Sequence, residues 1–171
     1  MKKISIFISL LIVFSFAIGK EAIYKVYYGF LPIGEIKFKW EEKQLYIKGN
    51  VYSYLKFVYD YNFEFLAKDN DFYLYEKEND KTKTFKKEEI FKKKPWLPLL
   101  VQFLQTKKAD EKGKYPYKLE KEGNKYIIYP LSSKKVSKIV IVFDEDKQFP
   151  KKIKIYGKYF LKLERKNIID K

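Results

Sequence analysis

The chain has 171 residues, 37 basic and 22 acidic, for a formal net charge of +15, and it contains neither cysteine nor histidine. Those absences exclude disulfides, thiol catalysis and any serine–histidine or cysteine–histidine nucleophile pair, and they leave zinc without its usual ligands. With 46% hydrophobic and 19% aromatic residues, the chain has material for a core that needs no cross-links.

Met1-Lys2-Lys3 is a short basic start, and Ile4 to Ile18 is an apolar run broken only by Ser5, Ser9 and Ser15. Ala17-Ile18-Gly19 then places small residues ahead of Lys20. This is the layout of a secretory signal peptide over residues 1–19. The run is about fifteen residues, short of the roughly 20 that a spanning helix needs; a retained N-terminal anchor is the rival reading. The expectation is export to the periplasm, cleavage before Lys20, and a single soluble β-rich domain over residues 20–171. With no cysteine at the cleavage point, a lipid anchor is not expected.

Beyond residue 19 the dominant pattern is period two, the mark of strands with one buried face. Ile23–Tyr28 is a first strand, Gly29 to Gly34 turn chemistry, and Glu35–Trp40 a second strand with Ile36, Phe38 and Trp40 on one face. Leu45–Tyr52 follows, then a short helical turn within Ser53–Val58. Tyr59–Ala67 is the longest alternation, with Tyr59, Tyr61, Phe63, Phe65 and Ala67 sharing one face. Phe72–Glu76 returns after a turn, and Lys81–Phe85 reads as an edge strand whose lysines discourage edge pairing.

Pro95–Gln105 breaks the pattern. It is almost entirely apolar, Pro98 suits a first helical turn, and Trp96, Leu100 and Leu104 share a face; a helix apolar nearly all round is a buried one. A charged loop, Thr106–Lys114, precedes strands at Tyr115–Lys121, Lys125–Tyr129, Ser137–Phe143, Lys151–Tyr156 and Tyr159–Arg165, and Lys166–Lys171 reads as a frayed tail. Short connections favour antiparallel neighbours, and a long sheet curls to protect its edges. The predicted fold is therefore mainly β: a curved antiparallel sheet or incompletely closed β-barrel of about ten strands, with one short buried apolar helix inside the curl or across its mouth.

The segment Tyr24-Lys25-Val26-Tyr27-Tyr28-Gly29-Phe30-Leu31-Pro32-Ile33-Gly34-Glu35 resembles the opening of domain-of-unknown-function family 3108, a group of exported bacterial proteins. Val140-Ile141-Val142-Phe143-Asp144 followed by Phe149-Pro150-Lys151-Lys152-Ile153 is similar to the close of that family. The resemblance implies no assigned activity. It implies a fold analogous to the open barrel of outer-membrane lipoprotein carriers, an analogy that carries little about function.

Three groups of residues are candidate sites. Phe38, Trp40, Tyr61, Phe63, Phe65, Trp96, Leu100 and Leu104 are expected to line either a packed core or an apolar-ligand cavity. Lys92, Lys93, Lys94, Lys107 and Lys108 flank the apolar helix and form a candidate basic rim facing an anionic membrane. Gly29, Pro32, Gly34 and Glu35 are read as a structural turn, since no lysine–serine/threonine pair and helix follow as a phosphate loop requires. Asp144, Glu145 and Asp146 also read as a turn, because the twelve-residue calcium loop pattern is absent. No metal or cofactor is expected. Nucleic acid is not an expected partner either: Arg165 is the sole arginine, and phosphate readers favour arginine's planar fork.

These readings favour a non-enzymatic exported cell-envelope protein that binds a lipid or another apolar molecule. A packed envelope scaffold or interaction protein without a ligand cavity is the alternative. A small outer-membrane barrel is a weaker one, because the chain ends Ile169-Asp170-Lys171 and carries the apolar helix. An enzyme has least support, with only carboxylate, lysine or tyrosine chemistry left.

Overall fold

The computed structural model describes residues 19–170, and the signal-peptide reading of residues 1–18 lies outside them. Eleven strands form one antiparallel sheet: β1 (Lys20–Tyr28), β2 (Leu31–Glu41), β3 (Gln44–Val51), β4 (Tyr61–Lys68), β5 (Asp71–Glu78), β6 (Lys81–Lys86), β7 (Tyr117–Glu122), β8 (Lys125–Pro130), β9 (Val136–Val142), β10 (Lys152–Gly157) and β11 (Leu161–Asp170). Two helices, α1 (Glu88–Lys93) and α2 (Trp96–Thr106), connect β6 to β7. The spatial order is β6-β5-β4-β3-β2-β1-β11-β10-β9-β8-β7. The first and last strands are thus neighbours at the centre, and the helical connection joins the two edge strands.

Alternation explains which face is buried. Tyr24 and Val26 of β1, Ile36 and Phe38 of β2, Leu45 and Ile47 of β3, and Phe63 and Phe65 of β4 point inward at positions two apart. Ile139 and Ile141, Ile153 and Ile155, and Leu163 continue that face across β9, β10 and β11. Helix α2 lies against it and is buried at Trp96, Leu97, Pro98, Leu99, Leu100, Val101, Phe103 and Leu104. The helix fills the concave side rather than capping an empty one. It touches both arms of the sheet: Trp96 meets Phe63 edge-on at 6.4 Å between ring centroids, and Phe103 meets Tyr126 at 5.1 Å.

Three bulges supply curvature. Register shifts fall between Ile23 and Tyr24 against β11, between Val26 and Tyr27 against β2, and between Tyr156 and Gly157 against β9; each adds a residue to one strand and increases its twist. At the second, Gly34 lies so close to β3 that a Cβ would fall 2.2 Å from the Asn50 carbonyl oxygen.

The predicted curved sheet with one apolar helix is the observed one, with eleven strands against about ten expected. Several boundaries differ. Only Gly29 and Phe30 form the first turn; Pro32 and Gly34 lie in β2, which begins at Leu31. Lys166 to Asp170 are not a frayed tail but the second half of β11, held by β1 from Lys20↔Asp170 inward. Their polarity misled because this stretch is a half-exposed strand whose backbone pairs with β1 alone, β10 reaching only Leu161 to Glu164. Helix α1 was not expected. Glu88 and Glu89 sit in its first turn and Lys92 and Lys93 in its last, the arrangement that complements a helix dipole.

Candidate functional site

The sheet and α2 part at the start of the helix. There a slot of about 110 Å³ opens between Trp96 and the strands, lined by Val26, Ile33, Ile36, Val51, Phe63 and Leu161 among others. Two glycines make room for it. Gly34 and Gly49 both line the slot, and a Cβ on Gly49 would fall 2.3 Å from the ring of Phe63, its partner across β3 and β4. Such close approach of a ring to backbone is what glycine in a strand permits.

Lys94 stands at the slot's mouth and also borders an adjoining cleft of about 280 Å³. Trp96 and Leu161 are common to both spaces, and the cleft adds Lys93, Lys135, Lys158 and Tyr159. An apolar recess thus lies beside a cleft bordered by four lysines.

Lys93 and Lys94 are held there by Glu76, which points inward from β5 with its side chain 5% exposed. Its carboxylate lies 2.6 Å from the Lys93 Nζ and 3.1 Å from the Lys94 Nζ, and it accepts a hydrogen bond from the Tyr61 hydroxyl at 2.6 Å. The Lys94 ammonium also sits 4.9 Å from the Tyr61 ring centroid. Burial alone would push the Glu76 carboxyl up; hydrogen bonds from Lys93, Tyr61 and Lys94 outweigh it and hold it below the usual carboxylate range. Burial also pushes the Lys94 ammonium down, against the pull of Glu76, and drives the Tyr61 hydroxyl far above its ordinary value.

The eight predicted lining residues separate. Tyr61, Phe63 and Trp96 border the slot. Phe38, Phe65, Leu100 and Leu104 are core residues that do not reach it. Trp40 packs half-buried on the core and borders a polar recess with Glu42, Lys43, Asp69, Asn70 and Gln105.

The predicted basic rim separates too. Lys92 and Lys108 are exposed. Lys93 and Lys94 belong to the Glu76 cluster, and Lys107 caps α2 in the left-handed conformation, its Nζ donating to the Leu104 carbonyl at 2.9 Å. These three do not form a free surface, because each ammonium finds a partner inside the fold. Lys107 stands 4.8 Å from the Phe143 ring centroid, and burial pushes its ammonium down to about 8.

Of the turn residues, Gly29 takes a positive φ of 61°. Pro32 accepts a hydrogen bond from the Tyr54 hydroxyl at 2.6 Å, and Glu35 pairs with Lys166 at 2.6 Å while bordering the slot. The Asp144–Asp146 turn is held from within. Asp146 accepts backbone N–H bonds from Gln148 and Phe149, and Asp144 is bonded by Arg165, whose other nitrogen donates to the Phe149 carbonyl at 2.6 Å.

Sequence reasoning missed Glu76. The signal was present: Phe72, Leu74 and Glu76 alternate, so a carboxylate falls on the inward face of a strand, where it needs a cation.

Fold and site together define an open, strongly curved β-sheet wrapped around a buried helix, with a small apolar recess at the helix start. No family model matches the chain. An uncharacterised protein of Aquifex aeolicus (strain VF5) is 41% identical over 170 residues, which span 99% of this chain and 97% of that protein, and the chain belongs to the same family. The hypothetical protein CT021 from Chlamydia trachomatis, solved at 2.0 Å, aligns over 87% of each chain with 12% identity and a TM-score of 0.45.

Proposed function

We propose that this is a non-enzymatic exported envelope protein that binds the end of an anionic amphiphile. An acyl chain terminus would occupy the slot and an acidic head would lie among the lysines. The observation that carries this reading is that the apolar slot adjoins the cleft bordered by Lys93, Lys94, Lys135 and Lys158, with Lys94, Trp96 and Leu161 lining both. The slot's 110 Å³ limits the occupant: a cavity of about 150 Å³ takes one benzene, so a terminal segment fits and a whole lipid does not unless α2 moves. The resemblance to domain-of-unknown-function family 3108, carried by the Tyr24 to Glu35 and Val140 to Ile153 segments, supports the export part of this reading alone.

A second reading, the packed envelope scaffold, is favoured by α2, whose apolar residues already fill the concave face. Support for an outer-membrane barrel is weaker. The sheet order ends at β6 and β7, and spanning barrels have no edges.

The test is native mass spectrometry and organic extraction of the purified protein, with titration by cis-parinaric acid and tryptophan fluorescence as a second readout. Bound acyl species, or probe binding that Gly49→Ala weakens at least tenfold, supports the amphiphile reading. Protein that emerges empty and binds no probe overturns it in favour of the scaffold.

A further inference from the structure

The most exposed large apolar side chains lie on the connections at one end of the central strands. Phe30 in the β1–β2 turn is 93% exposed, and Phe57 and Val58 in the β3–β4 loop are 87% and 69% exposed. Tyr28, Tyr54 and Tyr159 are exposed beside them. Hydrogen bonds join these connections into one surface. Gly29 N donates to the Phe160 carbonyl (3.4 Å), Tyr52 N to that of Ile33 (2.9 Å), and Lys158 N to that of Lys135 (3.1 Å). The Tyr28 and Tyr159 rings lie 6.1 Å apart.

Lysine outnumbers carboxylate here. Residues 28–32, 52–60, 131–135 and 157–160 contain Lys56, Lys134, Lys135 and Lys158 against Asp60, and the β5–β6 turn, whose Asn79 N donates to the Asp60 carbonyl, adds Glu78 and Asp80 at the margin. All four lysines are exposed.

Two phenylalanines held in water contribute nothing to the core, and contiguous apolar exposure of this kind marks a contact surface. They stand at the tips of turns rather than on a flat or grooved face, so they suit a soft partner better than a shape-matched protein. Aromatic rings are the side chains that favour the headgroup layer of a bilayer, and lysines beside them complement anionic lipid. We infer that this end of the sheet docks on an anionic lipid bilayer, with Phe30 and Phe57 entering the headgroup region and the four lysines facing lipid phosphates. The contact belongs to these turns and not to the lysines flanking α2, three of which are partnered inside the fold. Lys135, Lys158 and Tyr159 also border the basic cleft, so docking would bring the slot's mouth to the membrane, but the inference does not require the slot to be occupied.

The experiment is co-sedimentation of the full chain with phosphatidylglycerol-containing vesicles and with pure phosphatidylcholine vesicles. Wild type is compared with Phe30→Ser/Phe57→Ser and Lys56→Gln/Lys158→Gln. The N-terminal segment is common to all, so differences between variants report on the turns. Wild type is expected to pellet with the anionic vesicles only and to be released by salt. Each phenylalanine substitution should weaken binding roughly tenfold and each lysine substitution about fivefold. Because the side chains are exposed, urea unfolding should be unchanged in both variants. Equal pelleting of wild type and Phe30→Ser/Phe57→Ser overturns the inference, as does equal binding to neutral vesicles. So does concentration-dependent self-association that Phe30→Ser/Phe57→Ser abolishes without any vesicle binding, which would assign the patch to a second copy. Retained cis-parinaric acid binding in Phe30→Ser/Phe57→Ser separates failure of this inference from failure of the slot reading.

Discussion

Replacing Glu76 with glutamine tests the electrostatic centre of the site. The substitution keeps the shape and leaves an amide oxygen for Tyr61, but removes the one charge that two ammonium groups share. Truncating a buried ion pair costs about 3–5 kcal/mol because the partner is left uncompensated. Here the partners keep some water: the Lys93 and Lys94 side chains are 33% and 23% exposed, against 5% for Glu76. The expected loss is therefore smaller, about 2–3 kcal/mol, in line with the roughly 1.5–3 kcal/mol of a hydrogen bond to a charged group. Urea unfolding is the assay, since urea does not screen charge, with the fluorescence of Trp40 and Trp96 as the signal. The folded-state carboxyl of Glu76 is held low, so its contribution is complete above the unfolded glutamate value and disappears as pH falls through the folded one. The gap between wild type and Glu76→Gln should therefore be full at pH 7 and shrink progressively below about pH 4.3. Adding Lys94→Met to Glu76→Gln should recover at least half the loss by removing the stranded ammonium. A single variant within about 0.5 kcal/mol of wild type at pH 7, or a gap that does not narrow in acid, would refute the reasoning.

Two further outcomes follow from the geometry. Gly49→Ala sets a methyl 2.3 Å from the Phe63 ring, which must tilt into the slot; the expected cost is about 1–3 kcal/mol in urea unfolding, with loss of whatever the slot holds. Lys107 is held down to about 8 in the folded state, so between that value and the unfolded lysine value the unfolded chain binds more protons and stability rises with pH. Relative to Lys107→Met, wild type should gain stability as pH is raised from 8 towards 10, read by urea midpoints in matched buffers; a flat difference would count against a buried ammonium.

The sheet was legible because one face of nearly every strand is apolar at period two, and the helix because it is apolar all round. The site was only half legible. Tyr61, Phe63 and Trp96 announce themselves as aromatics on inward positions, yet nothing local separates them from Phe38 or Phe65, which share the pattern and lie in solid core. What distinguishes the slot is the absence of side chains at Gly34 and Gly49, on two different strands, and that juxtaposition is set by register. The lysines failed for a related reason. A run such as Lys92-Lys93-Lys94 looks like a solvated loop, but it closes α1: Lys92 faces water on the last helical turn, while Lys93 and Lys94, the latter just past the helix with φ −132° and ψ 70°, face Glu76. The turns were legible only as connections. Turn chemistry at Gly29 to Gly34 and a helical turn within Ser53–Val58 hold Phe30 and Phe57, but nothing in either segment tells how far the two rings stand in water. A strand's pleat decides burial for its own residues; beyond the last paired residue the turn decides, which is why the strongest exposed feature was the least visible in the sequence.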